Sequence, residues 1–210
     1  MTFSATHYIL LLTAALTTGA ALAERADRDK PMNIEADALR YDDAKQTSVF
    51  TGKVVLTKGT MSMRGAQMDV RQDTNGNQFG VIKSEPGKLA FFRQKRDTAP
   101  DTPDEFIEGE AELIEYDSKA DVVKLLGRSV LRRYVGSRVN DEMTGAVIVF
   151  NNVTSTLTVD GGPPTSGSDP RSGRVRAVFT PRVGEDTPAS KPRDPAPVLR
   201  RSTTVGGDKK

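Results

Sequence analysis

An all-β, antiparallel fold is predicted by three observations. Short apolar or alternating segments recur along the chain, turn-forming residues separate them, and no stretch carries a convincing 3.6-residue apolar period. The segments 46–57, 61–71, 88–94, 122–133, 145–151 and 154–160 are rich in Val, Leu, Thr and Phe. Between them stand Tyr41-Asp42-Asp43, Asp73-Thr74-Asn75-Gly76-Asn77, Glu85-Pro86-Gly87, Asn151-Asn152 and Asp160-Gly161-Gly162-Pro163. Residues 24–39 have some helical propensity, but Pro31 interrupts them.

The 210 residues are organised in four parts. Tyr8 to Ala23 carries no charge and ends in Ala21-Leu22-Ala23, a small-x-small pattern followed at once by a charged run. That is the architecture of a secretory signal peptide cleaved after Ala23, so 1–23 is expected to be removed and the chain exported. No cysteine follows the cleavage site, so no lipid anchor is expected. Residues 24–30 form a flexible lead, 31–182 the β-domain, and 183–210 a tail rich in Pro, Ser, Thr and charge, expected to be disordered.

Composition narrows the chemistry. Lys plus Arg is 30 against 28 Asp plus Glu, a net charge of +2, which does not suggest a nucleic-acid partner. Cysteine and tryptophan are absent, and the single histidine, His7, lies in the signal segment. The mature chain therefore lacks the groups for Ser-His or Cys-His nucleophiles and for the usual zinc and haem sites. Neither a cofactor nor a metal is expected.

The sequence also repeats. Tyr41-Asp42 stands eleven residues before Gly52, and Tyr116-Asp117 eleven before Gly127, an offset of 75 in both cases. Phe50, Val55 and Leu56 then match Leu125, Val130 and Leu131. After a five-residue insertion, Met63-x-Gly65-Ala66-x-Met68-x-Val70 matches Met143-x-Gly145-Ala146-x-Ile148-x-Phe150. A repeated strand–turn–strand unit implies similar stacked layers, each completing its neighbour's core. Alternation places Phe50, Val54 and Leu56 on one face, with Ala66, Met68 and Val70, Leu125 and Leu131, and Ala146, Ile148 and Phe150. Thr51, Lys53, Thr57, Gln67, Asp69, Arg71, Lys124 and Arg128 fall on the opposite, wet face.

Pro31-x-Asn33-Ile34-Glu35-Ala36-Asp37, Tyr41 and Phe50-Thr51-Gly52-x-Val54-x-Leu56-Thr57-x-Gly59 resemble the opening of the LptA (OstA-like) family of periplasmic lipopolysaccharide-transport proteins. Gly87-Lys88-x-Ala90-x-Phe92, Glu108-Gly109, Tyr116, Gly127 and the late strand 174–181 extend the resemblance through most of 31–182. The resemblance implies a twisted, half-open antiparallel β-jelly roll in the periplasm. It implies a bridge that carries lipopolysaccharide, acyl chains inside the roll, from an inner-membrane extractor to an outer-membrane translocon. The implied partners are lipopolysaccharide, an LptC-like inner-membrane component, an LptD-like outer-membrane component and further copies of the chain, stacked head to tail through strand edges.

The candidate lipid lining is Met32, Ile34, Phe50, Val54, Leu56, Met68, Phe92, Tyr116, Leu125, Leu131, Ile148 and Phe150. Met32, Ile34, Phe92 and Tyr116 come from matching family positions and the rest from alternation. Methionine suits such a lining because it is flexible and polarisable. Arg93, Lys95, Arg96, Arg132 and Arg133 are candidates for a phosphate-binding rim, although a solvated outer face is the favoured reading. The segment 80–89 departs from a phosphate loop in spacing and in carrying Leu89 where Ser or Thr is needed. Asp73–Asn77 lacks the closing Glu of a calcium loop and reads as a hairpin turn.

Two other functions remain open to the sequence: a general periplasmic lipid chaperone, and a polysaccharide-active β-fold enzyme pairing Asp42 or Asp43 with Glu108, Glu110 or Glu112. Against the enzyme stand the missing tryptophan and the low aromatic content, and the three glutamates read better as a solvated strand edge.

Overall fold

The structure is a computed structural model, and it describes Asp27, residues 30–163 and residues 173–181. The expected signal peptide, most of the lead and the 183–210 tail lie outside the described residues. The chain divides into units 1–179 and 180–210, and every described strand falls in the first.

Among the described residues twelve strands form one antiparallel sheet. They are β1 (Asn33–Glu35), β2 (Ala38–Asp42), β3 (Thr47–Lys58), β4 (Met61–Gln72), β5 (Gln78–Lys83) and β6 (Ala90–Lys95), then β7 (Glu105–Ala111), β8 (Leu113–Asp117), β9 (Val122–Val135), β10 (Arg138–Asn151), β11 (Thr156–Asp160) and β12 (Arg176–Phe179). The fold is the half-open antiparallel β-jelly roll that the family resemblance implies.

The long strands β3, β4, β9 and β10 make the roll, because each changes neighbours halfway. One half of β3 pairs with β2 and the other with β1; β4 pairs with β6 and then β5. Likewise β9 pairs with β8 and then β7, and β10 with β12 and then β11. One layer therefore reads β2-β3-β4-β5-β8-β9-β10-β11 and the other β1-β3-β4-β6-β7-β9-β10-β12.

The turn from one layer into the other is made at bulges. The β3·β4 register shifts between Thr51 and Val54, where Gly52 (φ 81°) and Lys53 (φ 44°) are both left-handed. The β9·β10 register shifts at the matching place, with Gly127 (φ 75°) and Arg128 (φ 46°). An extra residue in one strand bends it and increases its twist, and glycine adopts the left-handed conformation at least cost.

The sequence repeat is thus a structural repeat: β1–β6 and β7–β12 have the same connectivity. Asp37 N–H donates to the Gly52 carbonyl at 3.0 Å, and Glu112 N–H donates to the Gly127 carbonyl at 3.0 Å. The second corner also repeats. A Cβ on Gly65 would lie 2.7 Å from the Lys83 carbonyl oxygen, and one on Gly145 would lie 2.7 Å from that of Asp160.

The side chains between the layers form one apolar cluster, from Val54, Leu56 and Met61 through Phe92, Ile114 and Tyr116 to Ile148 and Phe150. Residues 33–42 form β1 and β2, both paired with β3, so their helical propensity is overridden as the all-β reading expects. One reading of the sequence needs correction. The glutamate-bearing strand β7 is not an edge: it lies between β6 and β9, and cross-strand arginines neutralise its carboxylates. The Asp73 carboxylate accepts hydrogen bonds from the amides of Asn75 (2.9 Å) and Asn77 (2.8 Å) and from the Asn77 side chain (2.8 Å). That is the β4–β5 hairpin turn.

Candidate functional site

Strand alternation puts every second side chain into the seam between the layers. The twelve predicted lining residues all join that seam, and the structure divides them into two groups. Val54, Leu56, Met68, Phe92, Tyr116, Leu125, Leu131, Ile148 and Phe150 are buried in the packed cluster. Met32, Ile34 and Phe50 pack against it while remaining half-buried. These three line a cleft of about 210 Å³ at the end of the roll formed by β1 and β2.

The cleft has an apolar floor and a polar lip. Met32, Ile34, Phe50 and Val70 meet there with Tyr41, Gln46, Ser48, Gln72 and Gln78. Val70 is a lining residue that alternation already grouped with Met68. Gln46 and Gln78 were not expected; they border the β2–β3 and β4–β5 turns, which the topology brings to one rim. The Tyr41 hydroxyl donates to Asp43 Oδ1 at 3.0 Å. This bond, with some desolvation and the charge of Asp43, raises the phenol above its ordinary pKa.

Position along the seam decides which residues are sealed. In its middle, β5 pairs with β8 and β6 with β7, so each layer is continuous over the core. At the β1–β2 end no further strand follows among the described residues, and the seam opens. The middle of the seam is filled by buried side chains, among them Met68, Phe92, Ile114 and Leu125.

Of the basic residues weighed as a rim, Arg93, Lys95 and Arg132 face outward and carry acidic partners. Arg133, two residues after buried Leu131 and opposite buried Ile107 and Asp141, turns inward, and the Arg96 Nε is buried as well. The Arg93 guanidinium pairs with Glu108, and Lys95 Nζ lies 2.8 Å from Asp104. Arg132 bridges Glu110 and Glu142, both at 2.8 Å, and Arg133 Nε donates to Asp141 at 2.7 Å. The Glu110 hydrogen bond, opposed by partial burial and reinforced by Glu142, holds the Arg132 guanidinium above its ordinary pKa. Arg64 and Arg93 also lie over the rings of Phe91 and Phe106 at 4.3 and 4.1 Å. Arg93, Lys95 and Arg132 fit the solvated-face reading, whereas Arg96 and Arg133 do not. Asp42 and Asp43 lie at the β2–β3 turn of one layer, whereas Glu108 and Glu110 lie in β7 of the other.

Residues 33–156 match the model of a family described as LptA/(LptD N-terminal domain) LPS transport protein. The chain belongs to this family. Among curated LptA-type relatives, the lipopolysaccharide export system protein LptH of Pseudomonas aeruginosa is 40% identical over 90 residues, which is 43% of this chain and 49% of LptH. The lipopolysaccharide export system protein LptA of Escherichia coli K12 is 29% identical over 124 residues, covering 59% of this chain and 64% of LptA. The chain thus spans about half the length of the first relative and under two thirds of the second. A crystal structure of LptH, described as the LptA homologous periplasmic component of the lipopolysaccharide transport device of P. aeruginosa, superposes with a TM-score of 0.60. It shares 22% identity and covers 74% of this chain and 99% of LptH, a likeness that establishes the LptA-type fold.

Proposed function

We propose that the chain is an exported periplasmic bridge protein of the LptA type. It binds the acyl chains of lipopolysaccharide in the seam between its layers and passes the lipid from an inner-membrane extraction complex to an outer-membrane translocon. The observation that carries this reading is the apolar seam of a family member opening, at the β1–β2 end, into a cleft floored by Met32, Ile34 and Phe50. Each methylene moved out of water gains about 0.8 kcal/mol, so shielding one chain of about twelve carbons is worth on the order of 10 kcal/mol. A roll with alternating strands supplies such a surface while keeping Lys53, Arg71 and Arg128 in water.

The role is binding and assembly without chemistry. The bridge forms by head-to-tail stacking. At one end β1 and β2 pair only with β3, and at the other β11 and β12 pair only with β10, among the described residues. Unpaired edges invite a partner's strand, and a head-to-tail contact does not close on itself. Further copies, an LptC-like component and an LptD-like component are the partners expected at these ends.

Mass spectrometry of lipid co-purifying with the protein, together with depletion in cells, tests the function. Lipopolysaccharide on the protein, and its accumulation at the inner membrane on depletion, are expected. Bound phospholipid alone, with lipopolysaccharide reaching the cell surface normally, overturns the proposal in favour of a general lipid chaperone.

A further inference from the structure

The repeat contains its own joint. The last strands of the first repeat, β5 and β6, pair with the first strands of the second, β8 and β7. The last strands of the second repeat, β11 and β12, have no successor among the described residues. Nor do β1 and β2, at the start of the first, have a predecessor. We infer, building on the head-to-tail reading above, that a second copy of this chain docks in the register of the internal joint, with Arg176 opposite its Glu35 and Val159 opposite its Leu39.

The register follows from equivalent pairings. Met68 faces Ile82 as Ile148 faces Val159, and Met63 faces Phe92 as Met143 faces Ala177. In the internal joint Ile82 faces Ile114, Phe92 faces Gly109 and Phe91 faces Glu110. The residues 75 positions before Ile114, Gly109 and Glu110 are Leu39, Ile34 and Glu35. Transfer to the free ends sets Val159 against Leu39, Ala177 against Ile34 and Arg176 against Glu35.

Three observations favour a second copy as the occupant. The first is exposure at equivalent positions: Tyr116 is 1% exposed under β5, whereas its counterpart Tyr41 is 55% exposed. The second is size. The internal joint sets large Phe92 against Gly109, where a Cβ would meet Leu125 at 2.7 Å. The free ends reverse the pair, setting small Ala177 against Ile34, so the space is filled in either case. The third is charge. The internal joint carries one directly opposed arginine–glutamate ion pair, Arg93 with Glu108. The transferred register creates another from Arg176 and Glu35. Among the described residues Arg176 pairs with Glu142, at 3.5 Å, and its side chain is 68% exposed. It stands at the outer end of the charge ladder Glu110–Arg132–Glu142, where the next strand would supply Glu35.

The chain has no cysteine, so cysteine pairs report the register directly. The transferred register sets Val178 opposite Asn33, as Arg93 faces Glu108. Directly opposed residues bring Cβ atoms within reach of a disulfide. The full chain carrying Asn33→Cys and Val178→Cys is expected to give disulfide-linked ladders on mild oxidation. Ile34→Cys with Val178→Cys, one residue out of register and facing the other side, is expected to give about tenfold less. Glu35→Arg should weaken self-association about fivefold, and adding Arg176→Glu should restore it. Oligomers that persist while the shifted pair cross-links equally well, or while the double reversal restores nothing, overturn the register and leave head-to-tail assembly standing. A chain that sediments as a monomer at every concentration, with ladders from neither pair, overturns head-to-tail assembly as well.

Discussion

Leu39 and Ile114 hold the same position in successive repeats, 75 residues apart, yet Leu39 is 58% exposed and Ile114 is fully buried. Each pairs with a long strand on one side, Leu39 with Phe50 and Ile114 with Leu125. Only Ile114 has a second neighbour, Ile82 of β5. The difference in burial belongs to the neighbour and not to the residue.

This pair separates stability from assembly. Ile114→Ala is expected to cost about 2–5 kcal/mol of folding stability, because it empties a sealed site. Leu39→Ala should change the stability of the isolated chain by less than about 0.5 kcal/mol, because its side chain is already wet. It should nonetheless weaken self-association. Denaturant unfolding and sedimentation on the two variants measure both effects.

The cleft gives a prediction about lipid contact. A photoreactive residue at Ile34 or Phe50 should capture lipopolysaccharide in cells, and one at Lys53 should not, because Ile34 and Phe50 line the apolar cleft while Lys53 faces water. Phe92, sealed at rest, should label only when the layers spread to admit lipid. Equal labelling at Ile34 and Lys53 removes the assignment of faces.

The corner glycines are expected to be intolerant for two different reasons. Gly127→Ala forces a residue with a Cβ into the left-handed region and against the Glu112 side chain, at a cost of about 1–2 kcal/mol from the backbone alone. Gly65→Ala keeps an ordinary backbone but drives its Cβ to 2.7 Å from the Lys83 carbonyl oxygen, which no side-chain movement relieves. Adding Glu112→Ala should recover part of the loss at Gly127. No comparable trimming of Lys83 should rescue the Gly65 variant, and the unfolding midpoints of the four proteins check this.

One carboxylate predicts a pH dependence. Burial opposes ionisation of Asp69, yet hydrogen bonds from Lys83 (2.6 Å) and Gln67 (2.7 Å) outweigh it and hold the carboxyl below its ordinary value of 3.8. Because its folded pKa is the lower one, its contribution is complete above the unfolded value and is lost as pH falls through the folded value. The stability gap between the native chain and Asp69→Asn should therefore be constant above about pH 5 and shrink below about pH 4. A gap unchanged down to pH 2 contradicts the assignment.

The sequence by itself determined the strand periods, the turns, the two-fold repeat and the parity that sends Val54, Leu56 and Met68 inward and Thr51, Lys53 and Thr57 outward. These are local properties: side chains alternate along any strand, and glycine alone enters the left-handed region cheaply. The sequence did not reveal β7 as an interior strand, because the glutamates that suggest an edge are neutralised by Arg93 and Arg132 from its neighbours. Nor did it mark residues 138–144 as the first half of β10, since their polar side chains fit a strand only when β9 and β12 lie beside them. Tertiary structure alone separated the candidate lining into sealed core and open cleft. Met32 and Met68 are the same residue type with the same inward parity, but Met68 lies under a continuous layer and Met32 at its end. Burial depends on how many strands flank a position, and that number is set by the pairing of segments far apart in the chain.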